Sequence, residues 1–111
     1  LEEDLVAWGR VVRIETRGRV TGAPARAAVG FVEQPDGTLL VAAGSTHADW
    51  ALNLLADPRC RITVGDATRT AMARVLEGEA FNRAVRELIL KYGTPSEGLG
   101  TGPAFELRPE D

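Results

Sequence analysis

Cys60-Arg61-Ile62-Thr63-Val64-Gly65-Asp66-Ala67-Thr68-Arg69-Thr70-Ala71-Met72-Ala73-Arg74-Val75 is the stretch on which the reading of the fold turns. Cys60, Ile62 and Val64 alternate with Arg61 and Thr63, the period of a strand with one buried face. Gly65-Asp66 fits a two-residue hairpin loop, so the chain returns antiparallel over about residues 67–75. Upstream, Val12, Ile14 and Thr16 alternate in the same way with Arg13, Glu15 and Arg17. Gly18 and Thr21-Gly22-Ala23-Pro24 supply turn chemistry, because Gly tolerates positive φ and Pro fixes its own. A second strand is expected over about residues 26–33. Pro35-Asp36-Gly37 then marks a tight turn, and residues 38–43 read as a third strand buried on both faces.

Two helices interrupt the strands, and residues 1–8 read as a further piece of helix. Asp49 is a plausible N-cap for a short helix over residues 50–56, halted by Asp57-Pro58, with Trp50, Leu54 and Leu55 as its buried stripe. A longer helix over about residues 79–92 carries Phe81, Val85, Leu88, Ile89 and Tyr92 in one apolar stripe, and Gly93 and Pro95 stop it. A last strand falls on residues 104–107. Six short strands, most joined by tight turns, with two or three helices, describe a mainly β chain of the α+β class. The architecture expected is a small antiparallel barrel forming a single domain over residues 1–111. The strand-helix-strand alternation of a Rossmann fold is missing, as are the G-x-G-x-x-G and P-loop fingerprints.

Composition narrows the function. No apolar run exceeds the stretch from Leu39 to Ala43, whereas a spanning helix needs about 20 apolar residues and a signal-peptide core about 7–15, so neither is expected. One cysteine, Cys60, and one histidine, His47, provide neither a disulfide nor a four-ligand zinc cage, so no metal is expected. A reducing cytoplasm suits such a chain. The net charge of -3 argues against a nucleic-acid partner. Within that acidic total, residues 10–26 hold Arg10, Arg13, Arg17, Arg19 and Arg26 against Glu15 alone, a patch suited to a small anion. Arginine's planar fork favours phosphate and carboxylate, although a GC-rich genome would give the same arginine bias.

No residue declares itself catalytic. His47 shares its loop with Ser45 and Asp49, but neighbours on one loop rarely meet as nucleophile, base and orienter. Cys60 reads as a small buried hydrophobe, Tyr92 as a packing residue, and Glu77 and Glu79 as the acidic start of the long helix. What remains is Arg17-Gly18-Arg19-Val20-Thr21-Gly22-Ala23-Pro24-Ala25-Arg26, in which arginines bracket a hydroxyl and a glycine-containing turn. Its backbone amides and guanidiniums would suit an anion; an ordinary hairpin with solvated arginines is the alternative.

Three blocks, Thr16 to Arg26, Asp36-Gly37 with Leu39 to Ala43, and Asp49-Trp50-Ala51-Leu52-Asn53-Leu54-Leu55-Ala56-Asp57-Pro58-Arg59, resemble the deazaflavin-dependent nitroreductase family in order and spacing. The likeness extends to Phe105-Glu106-Leu107-Arg108-Pro109. It implies a split β-barrel, related to the flavin-binding barrels of pyridoxamine-phosphate oxidases, that holds coenzyme F-420 in an extended groove. It further implies hydride transfer from the reduced cofactor to a small unsaturated, quinone-like or nitro acceptor. Basic residues of the turn would contact the cofactor's phosphate and oligoglutamate tail: Arg19, Thr21 and Gly22, with Arg17 and Arg26 beside them. Ala42, Ala43, Gly44 and Ser45 would lie along the ring, with Asp49 and Trp50 at the following helix start. Family members that reduce nitroimidazoles carry lysine where this chain has Val20 and arginine where it has Ala25, a place Arg26 would fill. The same barrel holding FMN, or a non-catalytic cofactor carrier, are the alternative functions. A homodimer is expected from barrel relatives that complete their sites across a two-fold axis. Acceptor choice would reside in loops at residues 45–49 and 96–102.

Overall fold

The computed structural model describes residues 1–92 and 100–110. In chain order the elements are α1 (Glu2–Ala7), β1 (Val12–Arg17), β2 (Pro24–Val29), β3 (Val32–Glu33), β4 (Leu39–Ala42), α2 (Asp49–Ala56), β5 (Arg59–Val64), β6 (Ala67–Leu76), α3 (Gly78–Tyr92) and β7 (Ala104–Pro109). The strands form one sheet in the order β2-β1-β5-β6-β7-β4-β3, and every pairing is antiparallel. The mainly β, α+β class is as read from the sequence, with seven strands rather than six.

The extra strand comes from one break. The run expected over residues 26–33 divides at Gly30-Phe31 into β2 and β3, which occupy opposite edges of the sheet. Edges joined by so short a link cannot lie far apart, so the sheet curls into an open half-barrel. Tyr92 from the end of α3 causes the break: a Cβ on Gly30 would stand 2.9 Å from its ring. The Phe31 amide, taken out of the strand ladder, donates to the Tyr92 hydroxyl at 2.9 Å. That hydroxyl donates in turn to Arg10 O at 2.9 Å, so the tyrosine read as a packing residue is a polar clasp between three segments.

The opening hairpin is as expected. Val64 pairs with Ala67 across Gly65-Asp66, and Gly65 takes φ +62, the positive φ that a II′ turn requires at its first position. Inside the curl, Val12 and Ile14 of β1, Val41 of β4, Cys60 and Ile62 of β5, Ala71 and Ala73 of β6, and Phe105 and Leu107 of β7 form the main core. Alternation delivers this: the residues between them, such as Arg13, Glu15, Arg59 and Arg61, face outward. On the opposite face of β4 and β7, α3 closes a second cluster of Leu40, Ala42, Leu76, Ala84, Leu88 and Ala104. That explains why β4 is buried on both faces.

Helix α2 packs along β1 and caps the main core, its Trp50 ring tilted at 56° to Phe105 with centroids 5.9 Å apart. Two sequence expectations for α2 need correction. Leu55 is 53% exposed and lies off the buried face, which is made by Trp50, Ala51, Asn53 and Leu54. The N-cap position is Ala48, with no side-chain cap, and Asp49 is the first helical residue. Helix α3 begins at Gly78; its expected stops, Gly93 and Pro95, lie outside the described residues.

Candidate functional site

The turn between β1 and β2 is held chiefly by its own backbone. Gly18 N–H donates to Ala23 O and Gly22 N–H to Gly18 O, both at 2.8 Å, and Ala23 N–H donates to Thr21 Oγ1 at 3.2 Å. Gly18 is obligatory, because a Cβ there would stand 2.8 Å from Ala23 O. The amides of Gly18, Gly22, Ala23 and Arg19 are therefore engaged within the protein and are not open to an anion. The turn also carries the guanidiniums of Arg17 and Arg19.

Arg19 carries the turn across to α2. Its backbone N–H donates to Asn53 Oδ1 at 3.2 Å and its Nη1 to the same oxygen at 2.8 Å. Its Nη2 meets Asp49 Oδ1 at 3.2 Å, and Nη1 reaches Asp49 O at 3.5 Å. Asp49 thus uses its carboxylate on Arg19 rather than on a cap, while its charge still suits the helix N-terminus. Asn53 Nδ2 donates to Thr16 Oγ1 at 3.0 Å, a contact buried within the core. The sequence reading gave Asn53 and Thr16 no site role; the available signal was a polar residue on the apolar side of a short helix.

Arg17 sits differently. Among the described residues its side chain makes no hydrogen bond or ion pair, though its charge acts on Asp57, and it lies against Gly22, whose φ is +80. It lines an open groove of about 430 Å³ together with Gly22, Asp57, Arg59, Arg61 and Thr70. Arg59 and Arg61 are additions the sequence reading missed, although their alternation on β5 puts them on the same outward face as Arg17. The carboxylates here are already matched. Asp57 accepts Arg59 N–H at 3.1 Å and Nε at 3.4 Å, and the backbone bond leads in lowering its pKa. Glu15 accepts Arg26 Nε at 2.8 Å and stands 4.0 Å from Arg61. Arg26 is therefore held on the outer sheet face, away from the Arg19 contact.

The segment after β4 divides in two. Ala42 and Ala43 are buried, one in each core cluster, and the Ala43 amide donates to Pro103 O at 2.9 Å. Gly44, Ser45, Thr46 and His47 are exposed, with His47 N–H donating to Ser45 Oγ at 2.8 Å. Gly102 packs so closely beneath this loop that a Cβ on it would fall 2.4 Å from Ser45 O. Trp50 is 9% exposed, so its ring is wall rather than surface. Of the acceptor loop expected over residues 96–102, residues 96–99 lie outside the described part. Cys60 is inert: burial pushes its thiol up to about 11, and Sγ faces Ala71 O at 3.6 Å. Among the described residues no group of ligating side chains could hold a metal, and no helix is long and apolar enough to cross a membrane.

Residues 6–96 match the sequence model of a family described as F420H(2)-dependent quinone reductase. The chain belongs to that family. The motif resemblance pointed to deazaflavin enzymes named for nitro acceptors; this reductase family is named for quinones. Solved structures share the fold. A protein of unknown function from Agrobacterium tumefaciens matches with TM-score 0.76 and 22% identity over 99% of this chain, and the chain spans 52% of that protein's length. An F-420-H2 dependent reductase matches with TM-score 0.70 and 24% identity, covering 89% of this chain and 94% of that one. The haem storage protein HutZ from Vibrio cholerae matches with TM-score 0.73 and 19% identity over 98% and 87% of the two chains. No curated protein matches the chain.

Proposed function

We propose that this member of the quinone reductase family binds reduced coenzyme F-420 and passes a hydride from it to a small quinone-like, unsaturated or nitro acceptor. The match of residues 6–96 to a family named for that cofactor and for quinones carries the reading. The donor set fits the group. Among the described residues the Arg17 guanidinium makes no hydrogen bond or ion pair and stands near Asp57 and Gly22 in the groove, where it would meet a phosphate or carboxylate; Arg19 and Thr21 belong to the same turn, with Arg26 on the adjoining sheet face. Gly44 and Ser45 offer an exposed loop of small residues for a flat ring. Ala43 and Trp50, in the main core, would back it, with Ala42 buried on the α3 side of β4, and Asp49 stands at the helix start.

The bound cofactor would supply the hydride and its electron pair. The chain's part is binding, orientation and exclusion of water. Arginine charge offsets the anionic end, and the Trp50–Phe105 pair gives the ring side a rigid support. The Tyr92 hydroxyl is engaged with Arg10 and Phe31, and solvent is the proposed source of the proton that completes acceptor reduction. The work is done in a reducing cytoplasm, where Cys60 stays a thiol. Homodimerisation is part of the proposal, supported by a solved neighbour of 22% identity and TM-score 0.67 described as a domain-swapped dimer; sedimentation showing only an 11.9 kDa species would remove it.

The test is anaerobic mixing of the protein with reduced F-420 and a panel of quinone, enone and nitro acceptors. Protein-dependent appearance of the oxidised deazaflavin band supports the proposal. Cofactor binding with no oxidation by any acceptor refutes the reductase reading and leaves a carrier.

A further inference from the structure

Every hydrogen-bonding atom of the Asn53 side-chain amide that faces the protein points at the basic turn or at the strand that launches it. Its Oδ1 accepts both the backbone N–H and the Nη1 of Arg19, and its Nδ2 donates to Thr16 Oγ1. The amide has only one workable orientation. Both Arg19 groups are donors without acceptor capacity, so reversing Asn53 would set its NH2 against two N–H groups. Asn53 is 2% exposed and Thr16 is 2% exposed, so water does not stand in for either.

We propose that Asn53 is a positioning residue for the cofactor site. It acts through Arg19, fixing the β1–β2 turn and its guanidinium against the first turn of α2, and Thr16 in turn fixes Asn53. This rests on the F-420 reading only for the identity of the ligand. The residue type follows from the geometry. Aspartate would supply the same acceptor but would add a second carboxylate to the one Arg19 already meets on Asp49, glutamine would overreach, and an apolar residue would leave the part-buried Arg19 amide and the buried Thr16 hydroxyl unpaired. A neutral acceptor locates Arg19 without adding further negative charge beside it.

The experiment is a double-mutant cycle between Asn53→Ala and Arg19→Ala, read by F-420 fluorescence titration. Hydrogen exchange of the Arg19 amide in the cofactor-free protein is measured alongside. Asn53→Ala is expected to weaken F-420 binding about tenfold in the wild-type background and by less than about twofold once Arg19 is alanine. Arg19 amide exchange should accelerate in Asn53→Ala. Should that variant fold poorly, Asn53→Asp keeps the acceptor, and Arg19 amide protection should persist in it; loss of that protection would overturn the proposal. Thr16→Val, which frees the far end of Asn53, should weaken binding less than Asn53→Ala.

Equal losses in both backgrounds, or unchanged Arg19 exchange in Asn53→Ala, would overturn the proposal. If wild type binds no F-420, the functional reading fails, and the exchange measurement alone still decides for or against Asn53 as the lock on the turn.

Discussion

Gly102→Ala tests whether the loop after β4 sits where the site requires it. Gly102 lies outside the positive-φ glycines, so its backbone is one that alanine adopts and the substitution is purely steric. The added Cβ would stand 2.4 Å from Ser45 O, 2.8 Å from Ser45 C and 3.0 Å from Ala43 Cβ. None of these atoms is the far end of a flexible side chain. The Ala43 amide is bonded to Pro103 O at 2.9 Å beside the collision, so the loop has to move away from α2 or lose that bond. Overpacking of this kind costs about 1–3 kcal/mol, offset by roughly 0.4–1 kcal/mol from the lower chain entropy of unfolded alanine. A net loss of about 1–2 kcal/mol is expected in urea unfolding, a fall of several degrees in Tm. Displacing Gly44 and Ser45 should also weaken F-420 binding about tenfold or more, since ligand geometry tolerates little error. Gly37→Ala is the control: its φ is +88 with nothing within 4 Å of the added carbon, so it should lose stability through strain and leave binding unchanged. A Gly102→Ala protein as stable and as tight-binding as wild type would refute this account of the loop.

Tyr92→Phe removes the hydroxyl that accepts from Phe31 and donates to Arg10. It should cost about 1–3 kcal/mol in urea unfolding with little change in cofactor affinity, and unaltered stability would show that the clasp does not hold the β2–β3 corner. Cys60, with its thiol pushed up to about 11, should ignore thiol reagents at pH 8 until the protein is unfolded. Because this pKa is raised on folding, its contribution to stability is complete below the unfolded value near 9 and is lost as pH rises towards 11. Cys60→Ala should accordingly show a shallower alkaline decline in Tm; an identical decline would contradict the assignment. Asp36 Oδ1 accepts from Thr38 Oγ1 at 2.6 Å and from its N–H at 3.0 Å, which holds the carboxyl below 3.8. Its turn-holding effect is therefore present at neutral pH and lost on acidification through the folded-state value. The Thr38 amide resonance should titrate with a midpoint below 3.8, and a midpoint above it would refute the bond.

Strand periodicity made most of the architecture legible. Alternation in residues 12–17 and 60–64 gave the buried and exposed faces correctly, and Gly65-Asp66 gave the hairpin, because these features depend on neighbours in sequence. The break at Gly30-Phe31 was not legible, since Tyr92, the residue that causes it, is 61 positions away from Phe31. Local pattern likewise put Leu55 on the core, as an apolar residue in a short helix. The buried face instead includes Asn53, whose polar atoms are met by Thr16 and Arg19 reaching it from outside the helix. Asp49 shows the same limit: its type suits a cap, but an arginine brought over by the β1–β2 turn competes for its carboxylate. The basic turn stood out through local charge alone. Which of its arginines is locked in hydrogen bonds and which faces the groove, Arg19 or Arg17, is a tertiary fact.

The central claim is the identity of the cofactor. The most direct measurement is fluorescence titration of oxidised F-420 with the purified protein, repeated in the presence of excess FMN. Saturable binding in the micromolar range that FMN does not displace is the predicted result; displacement by FMN, or no binding of F-420 at all, would contradict it.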